Sequence, residues 1–300
     1  MKNLILYLKN KNIHTPRIAL ARFLIGFSML LTLLTNDINI IGNHKYDGLK
    51  EYVMRHTPRH HRQFESGNIF MMMQPEKVKL VAIGVLLLVM SGLAPQVTAV
   101  LHVWISFSIH NFLIFLNGGD HLMLALSIFL LPICLTDQRL NQWKWERSRP
   151  NAGNILANIS LYFIHLQAAW MYIDASVSKI PKQGWYTGTA VYYYTSHYRL
   201  GAPEWLRHIN ESFTLTPMVK VVTWGVLLLE LVLATCLFMP SSFKRKMIIP
   251  AIFFHFLIVV NFGLITFFIA INAMLILFLD DDNYSVWFLR SKNRFLAKSL

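Results

Sequence analysis

The stretch MYIDASVSKIPKQGWYTGTAVYYY, Met171–Tyr194, closes a long apolar run and opens a polar one. At the junction stand Asp174, Ser176, Ser178 and Lys179, followed by Pro181, Gly184 and Trp185. A lysine that ends an apolar helix has two readings. It snorkels, with its stem on apolar surface and its ammonium in water. Or it is held partly out of water, which disfavours the charged form and frees the amine to act as a base. The residues alone leave both open.

The surroundings of this stretch define the class. Of the 300 residues, 55% are hydrophobic and 14% charged, and the mean hydropathy is +0.43. Such a chain reads as an integral membrane protein, all-α, because a bilayer core accepts only helices or closed barrels. The net charge of +13 then describes basic loops facing anionic headgroups rather than a nucleic-acid surface. Cys134 and Cys236 lie in apolar runs and imply no disulfide framework. There is no internal repeat and no low-complexity tract.

Working outward, apolar runs cover Arg17–Leu34, Val78–Leu93, Val97–Leu116, Leu122–Leu135, Ile155–Val177 and Met218–Met239. Met247–Leu279 is too long for one crossing of a ~30 Å core, and a break at Asn261-Phe262-Gly263 divides it in two. The sum is about eight transmembrane helices. The first run lacks a small-residue cleavage site and reads as an uncleaved span. With both termini cytoplasmic, residues 1–16, the Arg139–Arg149 segment, the Lys244–Lys246 loop and the tail 280–300 are short, basic and inside. The longer loops 36–77 and 178–217 fall outside. Asp120, His121, Asp174 and Lys179 then lie near the outer boundary of the core, and Cys134 and Cys236 near the inner one.

Polar side chains within the runs are Arg22, His102, His110, Asn111, Asn158, His165, Gln167, Glu230, His255, Asn261 and Asn272. Each is costly in lipid and faces a neighbouring helix or a cavity. Glu230 and His255 sit near mid-span, and Glu230 pairs with either His255 or Arg22. His56, His60 and His61, among Arg55, Arg59 and Arg62, lack the carboxylate or cysteine partners of a metal site, so no metal is expected. Asn117-Gly118-Gly119-Asp120 makes a turn at a helix start, where N–H groups favour an anionic or oxygen-rich ligand; alternatively Asp120 is the N-cap. His121 follows on the first helical turn.

NGGDHLMLALSIFLLP (Asn117–Pro132) and YIDASVSKIPKQGW (Tyr172–Trp185), with ARFLIGFSMLLTLL (Ala21–Leu34), Glu230 and FFHFLIVVNFGL (Phe253–Leu264), resemble the membrane domain of vitamin K-dependent gamma-carboxylase and the broader HTTM family. LTDQR (Leu135–Arg139) and GWYTGTAVYYY (Gly184–Tyr194) are most similar to the SdpB branch, whose members help produce an exported antimicrobial peptide of the sporulation-delaying toxin type. The resemblance covers Arg17 to Leu279. It implies Lys179 as base and His121 as stabiliser of the reacting oxygen, with Asp120, Asn117 and Trp185 binding a quinone or quinol of the menaquinone or vitamin K type. It also implies a peptide toxin precursor and a small SdpA-like maturation protein as partners. Glu230, His255 and Arg22 are the structural polar residues of the bundle. Two other readings stay open: a non-catalytic scaffold for the maturation partner, and a peptide transporter or immunity protein.

Overall fold

The computed structural model describes residues 2–42, 67–145, 151–198 and 201–279. The chain forms two compact units. One comprises Met1–Tyr162 with Ile269–Ala273, the other Phe163–Phe268 with Met274–Leu300. The described residues are helical and contain no β-strand, only two isolated bridges. Helices in the first unit are α1 (Lys2–Asn10), α2 (Pro16–Thr35), α3 (Ile38–Ile41), α4 (Pro75–Ser91), α5 (Pro95–Phe112) and α6 (Gly118–Leu135), with the first part of α7 (Ala152–Val177). The second unit continues α7 and adds α8 (Gln183–Tyr186), α9 (Ala190–Thr195), α10 (Glu204–Thr214), α11 (Met218–Thr235) and α12 (Ser241–Phe262). Most of α13 (Ile265–Leu279) also belongs there.

Among the described residues, four helical segments are long and apolar enough to cross a membrane: Pro16–Thr35, Gly118–Leu135, Met218–Phe238 and Ser241–Phe262. Of the other expected spans, α4 opens with the charged Glu76, Lys77 and Lys79. The 15 residues of α13 cover only about 22 Å at ~1.5 Å per residue. The expected break is present: Gly263 ends α12 in the left-handed region, φ +69°, which glycine adopts without a Cβ penalty.

Several loop boundaries differ from the sequence reading. The 178–217 connection contains α8, α9 and α10. The basic Lys244–Lys246 run belongs to the first turns of α12, because Pro240 provides the break just ahead of Ser241. Asp37 caps α3 by accepting from the Asn39 N–H at 2.9 Å, and Pro75 opens α4 inside the presumed loop. Lys45, Lys50, the Arg55–Arg62 cluster with its histidines, Arg147, Arg149 and the tail residues Arg290, Lys292, Arg294 and Lys298 lie outside the described residues.

Within the first unit, helix ends gather at two opposite ends. At one, Lys79 donates to the Asn36 carbonyl at 2.9 Å, Asn39 to Glu76 at 2.8 Å, and the Ile114 N–H to the Ile41 carbonyl at 3.0 Å. At the other, the Ala94 N–H donates to Leu140 at 2.8 Å and the Gln142 N–H to Gly92 at 2.9 Å. Ala94 holds φ +40°, and among the described residues no other non-glycine has positive φ.

That second end is tied by a buried polar knot. Arg139 grips Asp137 with two bonds, Nε at 2.8 Å and Nη2 at 2.6 Å. Gln142 donates to the same carboxylate at 3.2 Å and accepts from Arg22 Nη1 at 2.5 Å. Arg22, 1% exposed, completes its fork on Thr98 at 3.1 Å. His14 Nε2 lies 3.1 Å from the Ile133 carbonyl and 3.1 Å from the Thr136 hydroxyl. Arg22, expected as a possible partner of Glu230, is thus committed to an amide and a hydroxyl.

The knot is pH-sensitive in a defined direction. Burial pushes the Asp137 carboxyl up, but the hydrogen bond and charge of Arg139 outweigh it and hold it below its ordinary value of 3.8. Its stabilisation is complete above that value and is lost as pH falls through the depressed folded value. Burial holds His14 below its ordinary 6.5, with Asp137 opposing and Arg139 assisting. Protonation of His14 therefore favours the unfolded chain, and stability declines as pH drops below 6.5. Melting in detergent, followed by tryptophan fluorescence, should weaken first below 6.5 and again below 3.8, and His14→Gln should shrink the first step and leave the second. Asp137→Asn should cost about 3–5 kcal/mol, the scale for stripping a buried cation of its partner.

Candidate functional site

In the second unit, α7 ends at Val177 and the chain turns sharply. The Ser178 N–H donates to Asp174 at 2.9 Å, the Lys179 N–H to Ser176 at 3.1 Å and the Lys182 N–H to Lys179 at 3.0 Å. The turn aims the Lys179 ammonium at α11, where it is hydrogen-bonded to Glu230 Oε1. The side chains are 23% and 6% exposed. Trp185 forms a second wall, its ring centroid 5.0 Å from Lys179 Nζ, an arrangement in which the ring face attracts the cation.

The level of this pair follows from α11 itself. Glu230 lies twelve residues beyond Met218, about 18 Å along a helix axis. Glu230, and with it the Lys179 ammonium, therefore lies nearer the Thr235 end of α11 than the Met218 end. The Met218 half of α11 is flanked by α8 and α9. Trp224 Nε1 donates to the Trp185 carbonyl at 3.2 Å, and the Val191 N–H donates to Thr223 Oγ1 at 3.3 Å. Gly188, φ +79°, passes so near Lys220 that an added Cβ would sit 2.9 Å from its Cγ. Glycine satisfies both the backbone conformation and the approach.

Beneath the pair lie Tyr172, Ser176 and His255, all buried. Ser176 Oγ donates to the Leu227 carbonyl at 3.2 Å. The rings of Tyr172 and His255 are 6.1 Å apart. His255 Nδ1 donates to the Ala251 carbonyl at 2.7 Å, one helical turn back. The expected Glu230–His255 and Glu230–Arg22 pairings are therefore replaced by Glu230–Lys179. Glu230 Oε2 and Tyr172 Oη are buried without a hydrogen-bond partner among the described residues. The free Glu230 oxygen, on the carboxylate that holds Lys179, marks a place where a polar group of a ligand would be welcomed.

The other expected residues belong to the first unit. Asn117, not Asp120, is the N-cap of α6: its Oδ1 accepts from Gly119 N at 2.7 Å, and Asp120 Oδ2 accepts from the Asn117 N–H at 2.8 Å. This is a reciprocal capping box, with Asp120 three residues into the helix. His121 is exposed, and its Nδ1 lies 2.9 Å from His110 Nε2. A cleft lined by Met29, Thr32, Ile109, His110, Leu113, Asp120 and Met123 lies alongside, with room for one water-sized sphere, about 10 Å³. Lys179 and His121 thus fall in different units, each with a partner the sequence did not announce: Glu230 for one, His110 for the other.

Over 284 residues the chain is 34% identical to the uncharacterized protein YitO of Bacillus subtilis (strain 168), covering 93% of this chain and 89% of that protein. The chain belongs to the YitO family. Over 266 residues it is 28% identical to the sporulation-delaying protein SdpB of the same organism, covering 87% of this chain and 80% of SdpB. This similarity supports the SdpB-like branch of the resemblance. No family model matches the chain, and no solved structure matches it.

The ion pair makes a stability prediction for this family member. Glu230→Gln or Lys179→Ala leaves one partner of a largely buried pair uncompensated, a loss of about 3–5 kcal/mol where burial is complete and less where Lys179 meets solvent. The reversed pair Lys179→Glu with Glu230→Lys should recover much of it. Melting of the three purified variants in detergent measures the difference.

Proposed function

We propose that this chain is a multi-pass plasma-membrane protein of about eight transmembrane helices with both termini cytoplasmic, required to produce an exported antimicrobial peptide toxin. In this reading residues 17–279 form an HTTM-like transmembrane domain between a short N-terminal segment and a basic tail. The protein acts on the toxin precursor together with a small SdpA-like protein. The similarity to SdpB supports the toxin assignment, and the four membrane-length helical segments support the location.

The chemistry rests on one observation, the Lys179–Glu230 pair walled by Trp185. In a poorly hydrated interior one proton serves two bases. It sits on nitrogen, giving ammonium and carboxylate, or on oxygen, giving amine and carboxylic acid. The second arrangement uncovers the lone pair of Lys179 Nζ. That amine then takes a proton from an acidic group of the substrate, leaving Lys179 as ammonium, the substrate as anion and Glu230 as the acid. Glu230 Oε2 offers further hydrogen-bonding capacity at the same carboxylate.

Of the residues named for a quinone, Asn117 and Asp120 do not fit one. Both spend their side-chain oxygens on capping α6, and the cleft beside them is water-sized.

A scaffold reading has its own support in the 178–217 segment, where Tyr186, Tyr193, Tyr194, Tyr198 and Trp205 are exposed, a composition suited to partner contact or the membrane interface. One experiment separates the two. The mass and yield of secreted peptide are measured in cells carrying Lys179→Ala, Glu230→Gln or the reversed pair, at matched membrane abundance. A catalytic base requires that the reversed pair, although folded, yields no mature peptide. Unchanged peptide mass and yield from it would leave the ion pair structural and the protein a scaffold.

A further inference from the structure

α1 precedes the first long apolar helix and has an unusual surface. Leu4, Ile5, Leu6 and Tyr7 are between 48% and 60% exposed, while Leu8 alone is buried. Successive helical residues are about 100° apart at 3.6 per turn, so four adjacent apolar side chains wrap most of the helix. Lys2 and Lys9 flank them, and Lys11 Nζ lies 5.9 Å from the centre of the Tyr7 ring. A water-facing helix of this composition would present a continuous apolar band at each turn, which an isolated surface does not favour.

The position of α1 is fixed from its C-terminal side. Asn158 Nδ2 donates to the Leu8 carbonyl at 3.1 Å and to the Lys11 carbonyl at 2.8 Å, and Asn154 Nδ2 donates to the Lys9 carbonyl at 3.0 Å. His14 docks on Ile133 and Thr136, at the end of α6. These bonds hold α1 at the end of the first unit where α2 and α7 begin and α6 finishes. Nine residues extend only about 13.5 Å and cannot cross a ~30 Å core. An apolar middle with lysines at both ends suits a boundary instead. The side chains enter the acyl region and the ammonium groups remain among anionic headgroups.

We propose that α1 is an in-plane anchor that beds in the headgroup layer of an anionic leaflet, on the side where α2 starts. The inference rests on the membrane reading above but not on any catalytic role. The full chain, with Cys134→Ala and Cys236→Ala, is reconstituted into phosphatidylcholine vesicles with and without phosphatidylglycerol. A nitroxide is attached at Leu6→Cys, at Leu4→Cys, or at Phe27→Cys on the exposed side of α2. Accessibility to oxygen and to a water-soluble nickel chelate is read for each. The α1 labels should favour oxygen and exclude the chelate in the anionic vesicles, less strongly than the Phe27 label. Replacing Lys2, Lys9 and Lys11 with Gln should reduce that exclusion. Chelate reaching both α1 labels freely while the Phe27 label remains in lipid overturns the anchor alone. Chelate reaching all three overturns the membrane reading as well. Protection of the α1 labels from both reagents would mean that α1 packs against protein, and would equally overturn the proposal.

Discussion

A carboxylate in the middle of an apolar helix is the constraint on which the second unit depends. Glu230 is flanked in sequence by leucines, and its charge is expensive without a cation and a hydrogen-bond donor. Lys179 supplies both from a neighbouring chain segment. To reach Glu230 the chain must turn immediately after Val177, and the following short helices are then laid along the Met218 half of α11. Trp185 and Gly188 are consequences of that path: the first walls the ammonium, the second lets the backbone pass Lys220. Position and charge state are therefore set together.

The first unit solves a similar problem differently. Arg22 is nearly inaccessible yet has no carboxylate in direct contact among the described residues; it is held by Gln142 and Thr98, and Gln142 passes the polarity on to Asp137 and Arg139. Two guanidinium groups share one carboxylate through an amide. Removing any member leaves others underbonded, so the knot acts cooperatively. It lies in the LTDQR segment and the residues after it, at the far end of α6 from the His110–His121 pair.

Much of the fold was legible in the sequence, because length and apolarity are properties of single segments. The apolar runs, the Asn117 turn and the break at Gly263 all lie close to where helices begin and end. The short helices after Lys179 were not legible: Gln183–Tyr186 and Ala190–Thr195 are too brief for a periodic signal, and their place is set by contacts to α11. Residue types in the candidate site were equally visible, but pairings were not. A mid-span Glu230 demands a cation, and the sequence offered His255 and Arg22 before Lys179 because both lie within apolar runs. The two terminal nitrogens of Arg22 proved to be bonded to residues 76 and 120 positions away. His110 was one of many polar residues until its ring met that of His121.

The backbone at Ala94 ties two segments together. Its left-handed conformation is uncomfortable for a residue with a Cβ. It is accompanied by a hydrogen bond from its N–H to Leu140 and by the bridge between Leu93 and Asn141. Both supports come from chain well beyond the turn. The corner of the α4–α5 hairpin is thus braced by the segment beyond α6, so the hairpin and that segment share one local structure.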